Sequence, residues 1–229
     1  MRQQYLLIII KKELYNIIVL KLRIIVGWWM NNQSRQALWL ALAGSIVLMI
    51  GMGYGRFAFT GVLPLMLNEG LLTLHEGNLA ASANYAGYLV GALLLARVQP
   101  GAATRLSIIS AGLTIASLAL LAWVSSPWTI ITLRAVAGAL SAITLIAGSL
   151  WLLEHMGHHH GAPLLYAGVG LGIFISAEGI ALGHALSLTS QQIWLLCALC
   201  AGLLLALAIR WLLTPPAALV RVSHVETSL

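Results

Sequence analysis

Three ionisable side chains lie well inside long apolar runs of this sequence: Arg56, Arg134 and Glu178. A charge held in such surroundings is costly, which makes each a functional candidate by default. Two cations against one carboxylate leave a positive surplus. That surplus would favour an anionic group on a ligand, or would tune a proton-carrying carboxylate. Buried charges pair or face water, so Arg134 and Glu178 are expected at one level with Arg56 nearby, lining a watery cavity. The plainer alternative for Arg56 is snorkelling of its long side chain to an interface. Tyr54, Asn84, Tyr85 and Tyr88 add hydrogen-bonding groups. Asn84 and Tyr88 are four residues apart and share a helix face. Taken singly, each of these polar groups reads most simply as a packing contact between helices.

Other motifs carry less. Glu154-His155-Met-Gly-His158-His159-His160 is histidine-rich, and such tracts can bind transition metals. It lies, however, in a short glycine-flanked connection and lacks the helical two-histidine spacing of a catalytic zinc site. It reads as a solvated loop, and no metal or cofactor is expected. Cys197 and Cys200 are spaced C-x-x-C in the middle of an apolar run, which suits two small buried residues rather than a redox pair. Gly168-Val-Gly-Leu-Gly-Ile lacks the glycine spacing of a dinucleotide fingerprint. No nucleophile elbow, zinc helix or phosphate loop occurs, so the chain is not expected to be an enzyme.

The elements that must position these residues are membrane helices. Of 229 residues, 60% are hydrophobic and 8% charged, against about 25% charged in a soluble domain. Six segments approach or exceed the roughly 20 apolar residues that cross a bilayer. They run over Ala37–Leu63, Leu79–Ala96, Arg105–Val124, Trp128–Leu153, Pro163–Leu186 and Ile193–Leu213. Continuous apolar runs without alternation argue against a barrel, leaving helices as the only lipid-compatible backbone. Lys and Arg cluster before the first run, between the second and third (Arg97, Arg105) and after the sixth (Arg210, Arg221). The connections near Asn68–Asn78, Ser125–Pro127 and Leu186–Gln192 have none. This positive-inside pattern predicts both termini in the cytoplasm. The net charge of +6 is scattered over short connections, so no nucleic-acid partner is expected.

The predicted fold is therefore all-α: a polytopic membrane bundle of six transmembrane helices. A basic and apolar extension would cover residues 1–33, with the functional start near Met30. The six-helix domain would cover residues 34–214 and a cytoplasmic tail residues 215–229. Gly51, Gly53 and Gly55, the pair Gly87-x-x-x-Gly91, Gly168, Gly170 and Gly172, and Gly179-x-x-x-Gly183 would let helix backbones approach closely in lipid.

At these positions the sequence resembles the major facilitator superfamily. Leu133-Arg134-x-x-x-Gly138-x-x-x-Ala142 is similar to that superfamily's R-x-x-x-G motif. Gly87-Tyr-Leu-Val-Gly91 through Arg97, Gly101 and Arg105 resembles its loop between helices two and three, without the usual aspartate and basic cluster. Gly55-Arg56-Phe57-Ala58, Leu63-Pro64-Leu65-Met66 and Ala81-Ser-Ala-Asn84-Tyr-Ala-Gly-Tyr88 resemble the YbfB/YjiJ-like branch of bacterial transporters. The resemblance covers Ala37 to Leu213, the N-terminal six-helix half of a twelve-helix carrier. It implies secondary transport of a small solute across the bacterial inner membrane. It also implies a site between two halves, hence a second half or a homodimer partner for a truncated or split chain. A non-transporting subunit or remnant that assembles with another chain is the alternative, and a metal-dependent membrane enzyme using the histidine tract a third.

Overall fold

The computed structural model describes residues 32–215. The expectations for the N-terminal extension, the start near Met30 and the C-terminal tail fall, but for their innermost positions, outside the described residues. The packing set out below is that of the unit Trp39–Leu229.

Among the described residues every regular element is helical. A first rod consists of α1 (Asn32–Leu48), a π-helical segment (Met49–Phe57) and α2 (Ala58–Asn68). Then follow α3 (Leu74–Leu94), α4 (Ala103–Leu121) and α5 (Pro127–Leu150), the last extended by a second π segment, Trp151–His155. The final rods are α6 (Ala162–Ala185) and α7 (Ser190–Leu212). Five rods are long and apolar enough to cross a membrane. The exception is α3, whose 21 residues include His75, Glu76, Asn78 and Asn84. Its length of about 30 Å still matches a hydrocarbon core.

Of the boundaries that differ from the sequence reading, three have a plain local reason. α3 starts at Leu74 rather than near Leu79, because Thr73 and Glu76 form a capping box. The Glu76 amide donates to Thr73 Oγ1 at 3.3 Å, and the Thr73 amide donates to a Glu76 carboxylate oxygen at 2.8 Å. These bonds satisfy amides that a helix start leaves bare. The Thr73 hydroxyl donates to the same carboxylate oxygen at 2.8 Å, and together with the Thr73 amide it holds the Glu76 carboxyl below its usual value, since the ionised form accepts both. α7 likewise begins at Ser190 through a Thr189–Gln192 box. α2 runs on through Pro64 to Asn68 instead of stopping at Leu63. Proline forfeits one backbone bond, but Phe59, Val62 and Met66 on either side of it are fully buried, and that packed face carries the helix onward. Gly70, with φ of 72°, closes the turn between α2 and α3 in the left-handed region that suits glycine.

Two seams organise the bundle. Between α3 and α5, added methyl groups at Gly87, Gly91 and Gly138 would overlap the carbonyls of Ala135, Ala139 and Asn84. Between the first rod and α6, Gly168 lies against Ser45, Gly172 against Met49, Ser176 against Gly53 and Ile180 against Gly61. The numbers rise together on both sides, so these two rods run parallel. Apolar packing fills the rest in two clusters. One gathers Phe59, Met66, Leu118, Ile130 and Trp194, the other Leu40, Leu48, Trp151, Leu165 and Leu212.

Candidate functional site

The π-helical segment Met49–Phe57 holds Gly51, Gly53, Tyr54, Gly55 and Arg56. The amide of Ala58 donates to the Gly53 carbonyl five residues back, the bond that defines a π turn. Glycine is required here by space. A methyl on Gly51 would come within 2.6 Å of Thr144 Cβ, and one on Gly55 within 2.7 Å of Thr114 Cγ2. One on Gly53 would run into the backbone of Gly172. α4, α5 and α6 thus close directly on the segment's backbone.

That closeness lets side chains of α5 and α6 reach the segment's carbonyls. Ser141 Oγ donates to Gly51 O at 2.7 Å, and Ser176 Oγ to Gly53 O at 3.4 Å. Arg134 Nη1 donates to Gly55 O at 2.8 Å and Nη2 to Arg56 O at 2.9 Å. The guanidinium fork thereby spans two successive carbonyls, which a single ammonium could not match. Arg134 is 1% exposed, and its Cζ lies 4.6 Å from the centre of the Phe59 ring. Its Nε–H has no hydrogen-bond partner among the described residues. Asn84 Nδ2 donates to the Arg134 carbonyl at 2.9 Å, tying α3 to α5 where Gly138 meets the Asn84 backbone.

Arg56 is half-buried beside this clamp. Its Cζ lies 4.1 Å from the centre of the Tyr88 ring, 4.9 Å from Tyr85 and 5.7 Å from Phe57. Ring faces attract a cation electrostatically. Arg56 and Arg134 open on one cleft of about 40 Å³, with Thr60 and Asn84 at its wall and no carboxylate lining it.

The family model described as "Uncharacterised MFS-type transporter YbfB" matches residues 48–228. The chain belongs to this MFS-type transporter family. No curated protein and no solved structure matches it. The matched region takes in the π segment, the arginine clamp and all the rods from α2 onward.

In this MFS-type transporter Arg56, Arg134, Asn84 and Tyr88 come together, while Tyr54 and Glu178 do not join them. Tyr54 is 3% exposed and packs in the cluster that holds Trp194, Cys197 and Ala201 of α7. The expected closeness of Arg134 and Glu178 divides into two parts. Ser176 opposite Gly53 and Ile180 opposite Gly61 bracket Glu178 near the depth of Phe57, close to that of the clamp. Its side chain, however, is on the exposed face of α6 among Leu171, Phe174 and Leu182. Carbonyl oxygens take the place of the carboxylate as partners of Arg134.

Sequence reasoning missed Phe59, Ser141, Thr144 and Ser176. Ser141 stands seven residues after Arg134, two helical turns along the same face, and that spacing was available as a signal. The histidine tract is divided. Glu154 and His155 end the second π segment, and His159 and His160 begin a short 3-10 turn. His158 between them is half-buried, and a methyl on Gly161 would come within 2.5 Å of its ring. Burial, then the neighbouring His160 and His159, pushes its imidazole below the usual value.

Proposed function

We propose that this chain is a six-helix unit for secondary active transport of a small solute in the bacterial inner membrane, with both termini cytoplasmic. Arg56, Arg134 and Asn84 form the polar niche at which solute or coupling ion is sensed. The single observation that carries this reading is the Arg134 fork on the Gly55 and Arg56 carbonyls. A buried cation is costly and unnecessary for packing alone. Here it grips a π segment, a helix form that frequently marks functional sites. Loading or unloading the niche would then shift the first rod against α5 and α6.

The unit works with a second six-helix unit, supplied by another chain or by a copy of itself. Glu178 supports the pairing. A carboxylate on an exposed face flanked by Leu171, Phe174 and Leu182 cannot rest against acyl chains at low cost. It needs either a protein neighbour or a water-filled path, and a cavity between two units supplies both.

Reconstitution of the full chain into vesicles with an imposed proton or sodium gradient tests the proposal. Radiolabelled small acids, amines and sugars serve as probes. Accumulation of one class that collapses with the gradient and is lost in Arg134→Ala is the expected result. Vesicles no more permeable than empty ones to every probe, with or without a second unit supplied, would remove the transport reading. Native mass spectrometry showing one chain only at all concentrations would remove self-pairing.

A further inference from the structure

We infer that the cleft between Arg56 and Arg134 binds one small monovalent anion, either a halide ion or a carboxylate head. The inference deepens the transport proposal by naming the charge class of the ligand, and rests on that proposal only for what brings the anion there. Four observations carry it. Two arginines, Arg56 and Arg134, are among the residues that line one cleft, and no carboxylate residue is. The bonds of Arg134 to the Gly55 and Arg56 carbonyls engage dipoles, which orient the cation without cancelling its charge. Its buried Nε–H has no hydrogen-bond partner among the described residues, so no protein acceptor offsets that edge of the cation. The polar groups at the wall are neutral and bring no counter-charge: Asn84 Nδ2 donates to the Arg134 carbonyl, and Thr60 Oγ1 donates to the Phe57 carbonyl at 2.7 Å.

What remains at the cleft is therefore two positive charges with no counter-charge. Cations are excluded by repulsion and a neutral solute gains little. Water could fill the cleft but cannot cancel the charge. The volume of about 40 Å³ holds only a few waters, at roughly 10–15 Å³ for each. A chloride ion or the two oxygens of a carboxylate fit that room, while the body of a metabolite does not. The rings of Tyr85 and Tyr88 lie within 4.9 Å and 4.1 Å of the Arg56 guanidinium carbon and help to hold that cation in place.

The test uses the purified full chain in detergent at neutral pH. Thermal unfolding is followed while sodium chloride or sodium acetate replaces sodium HEPES at constant ionic strength. The HEPES sulfonate is carried on a molecule too bulky for the cleft, so general screening is held fixed. A ligand that binds only the folded state raises the melting temperature in a saturable way. A saturable rise with both anions is expected, with Arg56→Gln raising the half-saturating concentration at least about tenfold, the loss typical of a charged hydrogen bond. The control Arg210→Gln, which removes the arginine beside Trp211 on α7, keeps the wild-type response. A rise with chloride alone supports a free halide site. A rise with acetate alone supports capture of a solute's carboxylate. No saturable rise with either anion, or an unchanged response in Arg56→Gln, overturns the inference. Should Arg134→Gln fail to fold, the wild-type and Arg56→Gln titrations still decide. None of these readings requires flux, so failed transport and failed anion binding are separate results.

Discussion

The two sides of α5 are built on opposite principles. Toward α3, helix α5 presents Ala135, Gly138 and Ala139, and contact is nearly bare backbone on backbone. Toward the first rod it presents Arg134, Ser141 and Thr144, whose polar atoms meet the π segment or its polar neighbours. Thr144 Oγ1, for instance, lies 2.9 Å from Ser110 Oγ of α4. In lipid, helices associate by packing and by interhelical hydrogen bonds, because apolar burial gives no net drive. Each side of α5 uses one of these two means almost alone. The dry side fixes distance. The polar side fixes which carbonyls are held, and can exchange partners without losing the contact.

The largest expected effect breaks the dry side. Gly87→Leu puts a side chain where the Ala135 carbonyl already stands. Overpacking of even a few methylenes costs about 1–3 kcal/mol, and here backbone rather than a flexible side chain must yield. The expected outcome is loss of monodisperse protein in size-exclusion chromatography, with Gly138→Leu behaving alike. A variant that keeps the wild-type melting temperature would mean that the α3–α5 seam is looser than its geometry.

Second in size is the clamp itself. Arg134→Met removes two donors from the Gly55 and Arg56 carbonyls. Each buried group left unsatisfied costs about 1–3 kcal/mol, partly offset by relief of an uncompensated buried charge. A net loss of about 2–3 kcal/mol in detergent unfolding is expected. Arg134→Lys should recover little of it, since one ammonium cannot span both carbonyls. A gain in stability from Arg134→Met would sharpen the comparison differently: the π segment would then relax to an α-helix and satisfy its own carbonyls.

Asn84→Leu is the third test, because among the described residues Asn84 makes the one side-chain hydrogen bond on the otherwise dry side. Interhelical bonds in membranes average about 0.6 kcal/mol and reach about 1.7. A loss within that range is expected in the same unfolding assay. A loss as large as that of Arg134→Met would show that the Asn84 bond holds Arg134 in its reach toward the first rod.

Much of this architecture is legible in the residues and some is not. The rods are visible because long apolar runs in lipid admit one backbone solution. Depth is visible too, since it follows from distance along a rod, and Glu178 does stand near the level of the clamp. Azimuth is less so. α6 is apolar nearly all round, and nothing in the run Leu171–Leu182 says that Glu178 faces outward while Ser176 faces in. The π segment is hidden for another reason. Gly51, Gly53 and Gly55 advertise a departure from ordinary helix, but its form is decided by Thr114, Thr144 and Gly172, which are distant in sequence. The starts of α3 and α7 were readable throughout in Thr73-x-x-Glu76 and Thr189-x-x-Gln192, where capping chemistry outweighs hydropathy.

Glycines that meet nothing give the fourth and smaller test. Among the described residues Gly170 and Gly179 have no atom within 4 Å of an added methyl, unlike Gly168 and Gly172 on the same helix. Gly170→Ala and Gly179→Ala should each raise stability by about 0.5–1 kcal/mol, since alanine loses less conformational freedom in a helix. If Gly170→Ala instead destabilises the protein in a lipid bilayer but not in detergent, the outer face of α6 is occupied in the membrane. That result would favour a partner there over bare lipid.

The smallest effect tests the far end of α5, where the second π segment, Trp151–His155, leads into the turn holding His158. This π segment contains no glycine, and among the described residues no side chain hydrogen-bonds its carbonyls as Arg134 does those of the first. The turn, closed by the His158 amide on the Leu152 carbonyl at 3.0 Å, holds a half-buried imidazole kept below its ordinary value first by burial and then by His160 and His159. The sign follows from proton counting. Near and below the usual value of about 6.5 the unfolded chain binds a proton that the folded chain refuses. Stability from this group is therefore full above about pH 6.5 and declines as the solution is acidified toward the folded value. Comparing melting temperatures at about pH 8 and about pH 5.5 in wild type and His158→Gln isolates it. The variant should lose part of the acid-induced drop while matching wild type at the higher pH. Equal drops in both proteins would mean that His158 takes its proton without disturbing the turn, and that the end of α5 is held by Trp151 and Leu152 alone.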